Sequence, residues 1–152
     1  MNSLSQYIIE KLHINKDTSV QEYNYHPKDK DELKSLIKKL IEERGNDADL
    51  NDIDIRKVKD MSNIFYNSKF NGNISNWDVS NVTDMSSMFS SSKFNQDISN
   101  WDVSNAKYME NMFYSSKFNQ DISEWDISNV TDMRYMFTDS PLEKNPPAWY
   151  KK

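Results

Sequence analysis

Apolar residues follow two regimes along the chain. In the first, Leu33, Leu36, Ile37, Leu40 and Ile41 recur at i, i+3, i+4, i+7 and i+8, which predicts an amphipathic helix. Asp29 and Glu32 fit a capping-box variant after Pro27, and Gly45 is a natural stop after Arg44. A weaker helix is expected from Leu4 to Leu12 through Tyr7, Ile8 and Ile9, and a strand from Val20 to Tyr25 with Tyr23 and Tyr25 on one side. The second regime repeats every 24 residues. Trp77, Trp101, Trp125 and Trp149 form one column, Met61, Met85, Met109 and Met133 another, and Phe65, Phe89, Phe113 and Phe137 a third. Phe70, Phe94, Phe118 and Leu142 make a fourth.

Within one unit, Ile74, Trp77 and Val79 fit the L-x-x-L-x-L frame and predict a short strand around Trp77 to Val79. Val82, Met85, Met88 and Phe89 then change to helical spacing, with Asn81 and Asp84, or Asn129 and Asp132, as an N-cap arrangement. The expected fold is an α/β repeat solenoid, leucine-rich-repeat-like, with one short strand and one short helix per repeat. Residues 1–48 form an α/β N-terminal cap, 49–145 about four repeats, and 146–152 a C-terminal cap or tail. Pro141, Pro146 and Pro147 end the array because proline cannot donate to a further ladder.

Composition at first points the other way. Only 36% of the 152 residues are hydrophobic, and mean hydropathy is -0.90, a polarity typical of disorder. The distribution reverses that inference. All seven Phe, all four Trp and seven of eight Met fall between Met61 and Trp149 at fixed repeat positions, so stacked units can share one continuous core. With no Cys, disulfides, thiol chemistry and cysteine-bound zinc are excluded. No apolar run approaches the roughly 20 residues of a membrane span, and no signal peptide is readable at the N-terminus, so a cytoplasmic chain without membrane insertion is expected. A net charge of -5 argues against nucleic acid or anionic membrane as a direct partner.

The run Trp77-Asp-Val-Ser-Asn-Val-Thr-Asp-Met-Ser-Ser-Met-Phe89 and its copies resemble the BspA-like leucine-rich repeat family of bacterial surface proteins. The segment from Tyr25 to Asp54 is similar to the leader that often precedes such repeats, and the likeness extends over about residues 23–150. The resemblance implies a leucine-rich-repeat solenoid, no enzymatic activity, and roles in adhesion or protein recognition. The chain departs from the family's surface placement in having no readable signal, lipobox or wall anchor.

Catalytic constellations are scarce. His13 and His26 stand apart from the repeats, and no phosphate-binding, nucleophile-elbow or zinc-helix motif occurs; no enzyme, cofactor or metal is expected. The tryptophans read as core, because burying large rings is what so polar a chain needs. Asp78, Asp102 and Asp126 form an acidic column that either serves the turns or offers a strip to a basic partner. Residues that break the repeat are better recognition candidates: Tyr66, Tyr108, Glu110, Tyr114, Arg134 and Tyr135, since Tyr and Arg are enriched at binding hot spots. The expected function is a monomeric, non-enzymatic protein-recognition module. The alternatives are an acidic inhibitor or immunity protein that blocks a basic surface, and a structural or adhesive surface protein.

Overall fold

A computed structural model describes residues 21–151. The weaker helix expected at Leu4 to Leu12, together with His13, lies outside them. Helix α1 spans Lys30–Arg44. The Asp29 carboxylate accepts from the Glu32 amide at 3.0 Å, and Glu32 reaches back to the Lys28 amide at 2.9 Å, so both of these amides are satisfied reciprocally. Gly45, at φ 90°, ends the helix with its N–H on the Ile41 carbonyl. Leu33, Ile37 and Leu40 are buried, which puts the predicted stripe against the core.

The expected strand up to Tyr25 does not form. Val20 lies outside the described residues, and the rest contributes one parallel bridge, Tyr25 to Ile53. The α/β arrangement expected beyond it is also absent: the described residues hold one α-helix, a 3₁₀ turn at Pro141–Glu143, five isolated parallel bridges and no sheet. The described residues are therefore not the expected α/β repeat solenoid with one strand and one helix per repeat.

Hydrogen bonding explains why. Each 24-residue coil is a succession of tight turns in which an apolar pair three residues apart closes an i to i+3 bond. In one coil Trp77 N–H bonds the Ile74 carbonyl at 3.2 Å, Val82 bonds Val79 at 2.9 Å, and Met88 bonds Met85 at 3.2 Å. In that coil an Asp or Asn stands immediately before each pair and accepts from the amide two residues on. Asn73 takes Ser75 N–H at 3.0 Å, Asp78 takes Ser80 at 3.1 Å and Asp84 takes Ser86 at 2.9 Å. The coil is thus three copies of Asx-apolar-x-x-apolar. Ile74 to Val79 curls into turns, which rules out a strand there.

The third turn replaces the predicted helix. From residue 85 onward the amides alternate. Met85, Ser87 and Phe89 donate to the next coil at Tyr108, Glu110 and Met112 (2.8, 2.9 and 2.9 Å), whereas Met88 and Ser90 donate three residues back. A helix would turn every amide to its own i-4 carbonyl. Ser87 and Ser91 sit at φ 52° and 57°, left-handed values that interrupt a right-handed helix, and the same two positions recur in every coil. Asn81 is no N-cap, because its side-chain amide reaches the Arg56 carbonyl of the preceding coil at 3.2 Å.

Stacked rings fill the interior. Phe65, Phe89, Phe113 and Phe137 lie face to face at 5.5, 5.6 and 5.9 Å with interplanar angles of 3–4°. Phe70, Phe94 and Phe118 run beside them at 6.3 and 6.2 Å. Each indole N–H of the tryptophan column reaches a carbonyl 27 residues earlier: Trp77 to Leu50, Trp101 to Ile74, Trp125 to Ile98 and Trp149 to Ile122. Burying one such ring contributes about 1.5–3 kcal/mol, against ~1 kcal/mol net for a hydrogen bond, so the rings drive the stacking and the turns set its register. Gly72 fits where the backbone crowds: a Cβ there would overlap the Ala48 carbonyl oxygen and approach the Phe70 ring to 2.7 Å.

Candidate functional site

The third turn of each coil carries the residues that break the repeat. Tyr66, Tyr108 and Tyr135 are the exposed large apolar side chains among the described residues, at 57%, 45% and 62%. Tyr114, in the column of Tyr66, is half-buried. Tyr135 occupies the left-handed position that Asn63, Ser87 and Asn111 fill in the other coils, at φ 57°. Asn visits that region readily, but a bulky side chain there costs roughly 1–3 kcal/mol.

Around Tyr108 the regular pattern changes. The Asp that precedes the third turn elsewhere is missing, and Tyr108 makes bridges to Asp84 on one side and Asp132 on the other. Glu110 then sits half-buried with one carboxylate oxygen lacking a partner among the described residues. Burial pushes its carboxyl upward; its own amide offsets part of this, and the Asp132 and Asp84 carboxylates add to the rise. Arg134 forks onto Asp132 at 3.0 and 2.7 Å, which depresses the aspartate and raises the guanidinium. The structure thus brings Tyr108, Glu110, Arg134 and Tyr135 onto neighbouring coils. Arg134 and Tyr135 line a cleft of about 690 Å³ together with Phe137 and Tyr150. Tyr66 lines another, of about 450 Å³, against Lys34, Lys38 and Ile41 of α1.

Asp78, Asp102 and Asp126 are exposed but belong to the second turn of each coil and line neither cleft. Each accepts from the serine amide two residues on, at 3.1, 3.0 and 3.0 Å. The Ser104 and Ser128 bonds hold Asp102 and Asp126 below the ordinary carboxylate range, and for Asp102 they outweigh repulsion from Asp126. His26 is solvated beside Asp54, its Nδ1 3.3 Å from the carboxylate. Among the described residues no cluster of three or more His, Asp or Glu is placed to hold a metal ion, and no helix is long and apolar enough to cross a membrane. Sequence reasoning missed Thr138 and Tyr150 in the larger cleft. The aromatic pair Trp149-Tyr150 beyond the prolines was the available signal for the second.

This architecture defines a repeat protein of turn-built coils whose distinctive side chains lie along one edge. Residues 32–149 match the model of a family described as a Mycoplasma protein of unknown function, DUF285, and the chain belongs to that family. No curated protein and no solved structure gives a significant match.

Proposed function

We propose that the chain is a non-enzymatic protein-recognition module that binds through the third-turn edge. One observation carries this reading. Tyr135 is 62% exposed and stands at φ 57°, where a small polar residue suffices in the other coils. Exposed aromatic surface held at a backbone cost suits selection for binding. Capture from host extract on the immobilised chain, followed by mass spectrometry, tests the proposal. A specific partner lost on combined Tyr108→Ser, Tyr114→Ser and Tyr135→Asn substitution is the expected result, while retention of every bound protein contradicts it.

A second reading, an acidic inhibitor or immunity protein that covers a basic surface, draws on the exposed Asp78, Asp102 and Asp126. Their Oδ1 atoms serve the turns and their Oδ2 atoms accept no hydrogen bond among the described residues. Asn substitution at all three keeps the turn acceptor and removes the charge. Loss of binding in that variant, with steep salt dependence in the parent, favours the inhibitor. Cytoplasmic residence belongs to the recognition reading, and recovery of the chain at the cell surface on fractionation favours the adhesive alternative.

A further inference from the structure

We infer that the larger cleft docks a peptide segment of a partner protein, which adds to the ladder of coils through its backbone carbonyls. The inference rests on the recognition reading and names the place and the chemistry of the ligand. At each of the three junctions between third turns, the alternate amides of one coil are taken by carbonyls of the next. Met109, Asn111 and Phe113, for example, donate to Asp132, Arg134 and Met136 at 2.8, 3.0 and 3.0 Å. The equivalent amides of the last coil, Met133, Tyr135 and Phe137, have no acceptor among the described residues, although Asp139 N–H is taken by the Glu143 carboxylate at 3.0 Å. All three residues line the 690 Å³ cleft, beside a Tyr150 ring that stands edge-on to Phe137 at 4.9 Å.

The three complete junctions show what satisfies such an edge: a chain segment with carbonyls at alternate residues and, among the residues that follow them, a Met and a Phe that pack inward. Peptide addition to an open ladder is a known recognition mode built on these elements. A second copy of this chain fits poorly. Two like edges would oppose donor to donor, and at the other end of the stack α1 lies over the first third turn, with Lys30 bonded to Asp60 and Ser62.

Residue-resolved amide exchange on the full chain, with and without a peptide of residues 108–116, tests this directly, because that segment covers the same edge inside the molecule. Free chain should exchange faster at Met133, Tyr135 and Phe137 than at Met109, Asn111 and Phe113. Peptide should slow those three by about tenfold or more and leave Arg134, Met136 and Thr138 unchanged; a scrambled peptide should do nothing. Absent binding, or binding that protects other amides, overturns the inference, as does protection that rises with chain concentration alone. If a partner captured through the tyrosines leaves the three amides unprotected, this inference fails and the recognition reading stands.

Discussion

Helix α1 and the third turn of each coil place apolar side chains at the same three-residue interval, yet one is a helix and the other a chain of turns. Leu33, Leu36 and Ile37 sit in a segment of Lys, Glu and Leu, all good helix formers, with a reciprocal cap at Asp29 and Glu32 and a glycine stop. Met85, Met88 and Phe89 sit among Asp, Ser and Asn, which bond their own backbone and tolerate left-handed geometry. The apolar spacing says which side chains go inside. The polar residues between them decide how the chain gets there.

Acid should separate the two regions most. Asp54 is depressed by Arg56, Asp132 by Arg134, and Asp97, Asp102, Asp121 and Asp126 by the serines two residues on. A carboxylate whose folded pKa lies below its unfolded value stabilises the fold above about pH 4 and loses that contribution as pH falls through the folded value. Since all of these groups lie in the coils, thermal melts followed by tryptophan fluorescence should decline below that pH, each exposed carboxylate contributing a small, solvent-screened share. A flat profile would mean that the Asx bonds contribute little.

Next in size, Phe89→Ala should cost about 3–5 kcal/mol in chemical denaturation, because it empties the middle of the ring stack. Glycine substitution should then give opposite signs in the two regions. Lys38→Gly, on the exposed face of α1, should cost ~1 kcal/mol. Ser87→Gly, at φ 52°, should be neutral or stabilising by up to ~1 kcal/mol. Equal losses at both sites would restore the helical reading of the coils. The smallest effect is expected at Glu110→Gln. Burial raises the folded pKa of this group, so its ionisation opposes folding at neutral pH and ceases to do so in acid. The variant should melt slightly higher at pH 7 and match the parent at low pH.

Much of the fold was legible in the sequence. The boundaries of α1 followed from Asp29 and Gly45, and the columns of Phe, Trp and Met identified the core, with Met133 and Trp149 at its end only half-buried. The repeat helix was misread because an i, i+3 pair serves a β-turn and a helix equally well, and the strand because Trp77 and Val79, two residues apart, close one turn and open the next rather than alternate along an extended chain. The discriminating signal, an Asp or Asn directly before every apolar pair except the one after Tyr108, was present in Asn73, Asp78 and Asp84. The tyrosines and Arg134 stood out as departures from the repeat. The larger cleft did not, because it depends on the chain beyond Pro147 bringing Tyr150 back onto Phe137, a long-range placement with no local pattern.

The central claim is that third-turn amides alternate between their own coil and the next one. Scalar couplings across hydrogen bonds, measured by NMR on the isotope-labelled chain, report donor and acceptor directly. The account predicts couplings from the Met109, Asn111 and Phe113 nitrogens to the carbonyl carbons of Asp132, Arg134 and Met136, with Met112 and Tyr114 coupled three residues back. An unbroken series of i to i-4 couplings through residues 109–116 would contradict it.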